Sequence, residues 1–97
     1  MYAVVTRVKV RPESIDELAS LFDATNRELV AGHDDWLGAW FTADREAGEV
    51  TVIARWRDAE SYERLRGSAE FQTVMAQFAA EFLEPPVVTI NEILVEM

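Results

Sequence analysis

The amino-acid sequence predicts an α+β fold in βαββαβ order, a four-stranded antiparallel sheet with its helices on one face. Three observations lead there. The chain has 97 residues, 49% of them hydrophobic, which fits one domain over residues 1–97 with a modest core and argues against disorder. The hydrophobic pattern changes period along the chain, from two to about 3.6 and back. Two strand-like segments, residues 35–43 and 49–57, flank the turn-like Asp44–Gly48 and read as a hairpin.

Each element has its own signature. Residues 2–11 alternate, with Val4, Thr6, Val8 and Val10 on one face and Arg7, Lys9 and Arg11 on the other, until Pro12 stops the strand. Ser14 and Glu17 have the spacing of a capping box, and Ile15, Leu18, Phe22 and Leu29 follow at helical spacing. Gly32 is the expected stop of a helix over residues 14–31. In the hairpin, Val50, Val52, Ala54 and Trp56 share one face of the second strand, and Thr51, Ile53, Arg55 and Arg57 the other. Asp58 reads as a helix N-cap ahead of Tyr62 and Leu65. Gly67 interrupts, Ser68 caps a restart, and Phe71, Val74, Met75, Phe78 and Phe82 form an apolar stripe that ends at Pro85 and Pro86. Val87–Val95 is β-branched and reads as the last strand. The order is that of the ferredoxin-like fold, with the second helix split in two.

Composition narrows the chemistry. There is no cysteine, so no disulfide framework, thiolate nucleophile or thiolate metal site. One histidine leaves a zinc site dependent on carboxylates. Eighteen acids against nine bases, a net charge of −9, argue against a nucleic-acid partner. No apolar run approaches the ~20 residues of a membrane span, and the first residues lack a basic segment leading into an apolar one. A cytoplasmic protein is the expectation.

The sheet face turned away from the helices carries Val5, Arg7, Ile53 and Arg55. That mixture is too apolar to stand bare and too polar for a core, and it suits a second copy of the chain. Two sheets face to face would make a homodimeric α/β barrel.

Three stretches resemble a known family. They are Val8-Lys9-Val10-Arg11-Pro12-Glu13, Asp35-Trp36-Leu37-Gly38-Ala39-Trp40, and Arg55-Trp56-Arg57-Asp58-Ala59-Glu60-Ser61-Tyr62 continuing to Ser68-Ala69-Glu70-Phe71. With the element order, they make the chain similar to the antibiotic-biosynthesis-monooxygenase-like family of dimeric α+β barrels. The resemblance implies a pocket between the second helical region and the sheet. It also implies the range of that family: cofactor-free oxygenation of polycyclic phenols, quinol handling, haem degradation, or no known activity. Aligned on Trp56 and Ser68, the chain has Thr6, Leu65 and Met75 where the haem-degrading branch carries Asn, Trp and His. All three depart from that pattern. The expectation is therefore a monooxygenase-like protein that uses no cofactor and no metal and acts on a small aromatic phenol or quinol. A homodimer that only binds a small hydrophobic molecule is the alternative.

Each candidate residue has two readings. Trp40, Trp56, Phe71, Met75 and Phe78 could stack against an aromatic substrate or simply pack the core. Trp36, at a strand start, could join the same stacking wall, but is expected at the sheet edge or the contact with the second copy. If Trp40 faces the helices, Phe41 faces away from them. Ala54 and Ala79 are small enough to leave a gap. Tyr62, His33 and Thr6 are the catalytic candidates, as hydrogen-bond donor, base and weak donor. Against them stand a core tyrosine with a polar tip, a loop histidine whose acidic neighbours Asp34 and Asp35 would keep it protonated, and an ordinary strand threonine. Asn91 is a further weak donor. Arg55, Arg57 and Arg66 could stabilise an anion or pair with carboxylates.

Overall fold

A computed structural model describes residues 1–97. The chain runs β1 (Tyr2–Lys9), a 3₁₀ turn (Pro12–Ser14), α1 (Ile15–Leu29), β2 (Trp36–Asp44), β3 (Glu49–Trp56), α2 (Ala59–Arg66), α3 (Ala69–Ala79) and β4 (Val87–Glu92). The strands form one sheet in the order β2-β3-β1-β4, and every neighbouring pair is antiparallel. This is the ferredoxin-like α+β arrangement. No helix is long and apolar enough to cross a membrane.

The helices cover one sheet face, and the apolar residues there fall into two clusters. Val8, Val10, Ile15, Leu18, Val50 and Phe78 form one; Val4, Val30, Trp56, Tyr62 and Leu65 form the other. Along β1 the division lies at Thr6, which sits between Val4 and Val8 on the same face and pairs with Val52 on β3 and Val88 on β4. A strand whose inner face reads Val-Thr-Val has its polar residue where the two halves of the core part.

Four local details differ from the sequence pattern. Ser14 does not cap α1: it lies in helical conformation inside the 3₁₀ turn that Pro12 starts, and its side chain makes no cap hydrogen bond. Its hydroxyl instead donates to Glu81 Oε2 at 2.8 Å, joining the start of α1 to the segment after α3. β1 ends at Lys9, and Val10 makes only an isolated bridge to Phe82. β4 ends at Glu92, where the chain leaves the sheet after Ile93 N–H donates to the Met1 carbonyl at 2.9 Å. α1 ends at Leu29, short of the expected residue 31, and α3 ends at Ala79, before the last member of its apolar stripe, Phe82.

A fifth difference decides which aromatic faces where. Trp36 pairs with Trp56, but Gly38 pairs with Arg55, so β2 holds one extra residue and its side chains switch faces at that point. Gly38 takes a φ of +142°, a conformation that other residues rarely adopt. Downstream of the bulge Phe41 turns toward the helices and packs against Phe22, ring centroids 5.3 Å apart. Trp40 turns outward and is 55% exposed. An unbulged strand would have placed the two the other way round.

Candidate functional site

A cavity of about 330 Å³ lies between the two core clusters, within the range of small-molecule sites. Its floor is the inner sheet face, including Thr6, Ala39, Phe41, Val52 and Ala54. Ala39 and Ala54 stand directly opposite each other across the β2–β3 pair, so the floor lacks side-chain bulk there. Phe22, Asn26 and Leu29 of α1 and Phe71, Met75 and Phe78 of α3 form the walls. Twenty-two of the 27 lining residues are hydrophobic.

Trp56 and Tyr62 bring an indole and a phenol to the lining. Trp56 closes β3, is only 2% exposed, and has a buried indole Nε1 with no hydrogen-bond partner. A buried donor left unpaired costs about 1–3 kcal/mol. Asp58 starts α2 two residues later, its carboxylate accepting from Ser61 N–H at 2.8 Å. Ser61 in turn donates to Asp35 Oδ2 at 2.6 Å, which ties α2 to the segment leading into β2. This places Tyr62 against Trp56, ring centroids 6.0 Å apart and steeply inclined. The hydrogen bonds around α2 leave the Tyr62 hydroxyl free. Burial pushes the Tyr62 phenol above its ordinary value; the charge of Arg66 pulls it down and that of Glu63 pushes it up. Tyr62 therefore keeps its proton at neutral pH, a state that suits a hydrogen-bond donor and not a base.

Ser68 joins the two helices α2 and α3. Its side chain accepts from Phe71 N–H at 3.1 Å, starting α3, and its hydroxyl donates to the Leu65 carbonyl at 2.7 Å, closing α2. Gln72 Nε2 donates to the Arg66 carbonyl at 3.0 Å. Arg66 and Gln72 also line the cavity.

The cavity brings together Thr6, Trp56, Tyr62, Arg66, Phe71, Met75 and Phe78 of the sequence candidates. Others do not. Trp40 lies on the outer sheet face, carried there by the bulge, with the Arg55 guanidinium 5.9 Å from its ring centroid. His33 is exposed in the turn before β2, and its ring meets the edge of Trp56 at 6.3 Å without lining the cavity. Asn91 is exposed on β4 and donates to the Ala3 carbonyl at 3.3 Å. Arg55 and Arg57 approach Glu96 and Asp35 at 3.8 and 3.5 Å. Trp36, expected at an edge or a contact between copies, is half-buried and lines the cavity. The sequence does not single out the walls from α1, because Phe22 and Asn26 among acidic residues read as an ordinary amphipathic helix. The four-residue spacing of Phe22 and Asn26 was the available signal, an apolar and an amide residue on one face.

The family model for antibiotic biosynthesis monooxygenase matches residues 1–77. No curated protein matches the chain. Among solved structures, the fold is similar to that of Rv0793 from Mycobacterium tuberculosis, with a TM-score of 0.78 and 25% identity over 98% of this chain and 96% of that one. It is similar to SnoaB, a cofactor-independent oxygenase from Streptomyces nogalater, with a TM-score of 0.78 and 16% identity over 99% and 95% of the two chains. A conserved protein from Methanosarcina mazei shares the fold with a TM-score of 0.78 and 18% identity over 93% and 89%.

Proposed function

The chain belongs to the antibiotic biosynthesis monooxygenase family, and on that premise we propose that its cavity takes a flat aromatic phenol or quinol and promotes reaction of the bound anion with dioxygen. The observation that carries this reading is the aromatic-walled cavity, whose lining includes Trp56, a residue with a buried indole N–H that has no partner within the protein. A phenol oxygen that reaches this indole would supply the missing partner. The Tyr62 and Thr6 hydroxyls are further donors from the same lining. Donors directed at a phenol oxygen favour its ionised form, while the aromatic walls disfavour it and exclude water. The phenolate is the electron-rich species that reacts with oxygen. One oxygen atom enters the ring and the other leaves as water, with all the electrons supplied by the phenol as it becomes a quinone.

A second reading is favoured by another observation: the lining contains no His, Asp, Glu or Lys. With no base in the cavity, a phenol must ionise on its own acidity aided by the donors. A protein that binds the phenol without oxidising it would share the same geometry. Oxygen uptake separates the two. With dihydroxynaphthalene and a chelator present, the oxygenase reading expects consumption above the buffer rate. It also expects a loss of about a hundredfold in Trp56→Phe, the effect of removing one donor from a stabilised oxyanion. Binding with no uptake above buffer supports the second reading and overturns the first.

The outer sheet face supports pairing with a second copy. Trp40, Ile53, Val5 and Thr89 form a row across all four strands, and Arg55 on the same face has a buried Nε with no partner. A second sheet laid on this row would cover Trp40 and supply acceptors to Arg55.

A further inference from the structure

We propose that Arg66 makes the cavity selective for aromatic molecules that bear a carboxylate, the rings lying among the aromatic walls and the carboxylate at the mouth beside Arg66. This rests on the cavity being an aromatic site and adds what the ligand carries. The argument begins with the pairing of charges. The chain has nine basic residues in a protein of net charge −9, so carboxylate partners are abundant. Seven of the nine are in ion pairs: Lys9 with Glu49, Arg11 with Glu81, Arg27 with Asp23, Arg45 with Asp16, Arg55 with Glu96, Arg57 with Asp35 and Arg64 with Glu60. Arg7, on the outer sheet face, and Arg66, at the cavity, are the two left over.

Arg64 and Arg66 make the contrast on one helix. Both lie in the last turn of α2, where a positive charge favours the helix terminus. Arg64 turns to Glu60 one helical turn back and donates to the Ser61 hydroxyl. Arg66 makes neither kind of contact and lines the cavity instead. It is the only charged residue in that lining, where no carboxylate competes for it. Its charge acts on the Tyr62 phenol, also in the lining. Gln72, tied to the Arg66 backbone, and Asn26 across on α1 put two amides in the same lining. A guanidinium matches the planar oxygens of a carboxylate, which it can hold through two parallel hydrogen bonds.

Calorimetric titration of the full chain with naphthoate, and with naphthamide as the uncharged counterpart of the same ring body, tests this. The expected result is tighter binding of naphthoate by about three- to fivefold, the strength of a solvent-reachable charge pair, against the overall negative charge of the protein. Arg66→Gln should abolish the difference and Arg66→Lys should retain part of it. Arg64→Gln removes the same charge from the same helix turn outside the lining, and should keep the preference. Equal binding of the two probes by the unmodified chain, or a preference that survives Arg66→Gln, overturns the assignment of Arg66 and leaves the aromatic site standing. Binding of naphthol but of neither naphthoate nor naphthamide does the same. Failure of all three probes overturns the aromatic site and this proposal with it.

Discussion

Replacing Ala54 by isoleucine tests whether the space between the core halves is usable apolar room. Ala54 faces Ala39 across the β2–β3 pair, and both line the cavity. Isoleucine adds three carbons, and at about 0.8 kcal/mol per newly buried methylene the ceiling on stabilisation is about 2.4 kcal/mol. Fixing the longer side chain costs about 0.5–1 kcal/mol of that in entropy. The β-branch suits a strand, so no propensity penalty offsets the remainder. A net gain of about 1.5 kcal/mol corresponds to a rise of roughly 6–12 °C in Tm for a domain of this size. The added carbons occupy space a ring would use, so naphthol affinity should fall by at least about tenfold, or 1.4 kcal/mol. Thermal melts by circular dichroism and a naphthol titration read both effects. Two outcomes would refute the reasoning. One is destabilisation by the roughly 1–3 kcal/mol of an overpacked core, which would mean the space beside Ala54 is already filled. The other is unchanged naphthol affinity, which would place the ligand elsewhere.

Other expectations follow from the same geometry. Ser68→Ala removes the acceptor for Phe71 N–H and the donor to the Leu65 carbonyl; the cost should be about 1 kcal/mol in urea unfolding, and an unchanged midpoint would show that the cap is not needed. Ile53→Asp places a charge at the middle of the outer apolar row, so sedimentation at micromolar concentration should show a dimer for the unmodified chain and a monomer for the variant. A dimeric variant, or an unmodified chain that is itself a monomer, contradicts pairing through this face. The Ser61 backbone N–H holds the Asp58 carboxyl below its ordinary 3.8, with burial opposing. A lowered folded-state pKa gives a contribution that is complete above the unfolded value and lost as pH falls through the folded one. Asp58→Asn should therefore flatten the acid limb of the stability curve below about pH 4, and an identical acid limb in the two proteins would refute this role.

The strands, the split helix and the hairpin are legible in the sequence because each has a period and a terminator: Pro12, Gly67-Ser68 and Pro85-Pro86 are local signals that the fold obeys. The aromatic walls of α3 are legible for the same reason, since Phe71, Met75 and Phe78 share a helix face whatever packs against it. Trp40 is different. Its face depends on a single extra residue between Trp36 and Gly38, and a bulge depends on backbone pairing with β3, which alternation along one strand does not carry. Ser14 shows a similar limit: the Ser-x-x-Glu spacing is present, but Pro12 begins a 3₁₀ turn earlier and a distant Glu81 takes the hydroxyl. Arg66 and Arg64 look alike in sequence, and only the placement of Glu60 and the cavity separates their surroundings.

The most direct test is the indole proton–nitrogen spectrum of the isotope-labelled protein. Its three tryptophans give three indole signals, with that of Trp56 identified by Trp56→Phe. Naphthol is then added. If the buried N–H of Trp56 is the hydrogen-bond donor of an aromatic site, its proton signal moves downfield as the site fills, while that of the outward-facing Trp40 stays in place. If the Trp56 signal is unmoved by saturating naphthol, or if only Trp40 responds, the cavity between the core halves is not where the phenol binds.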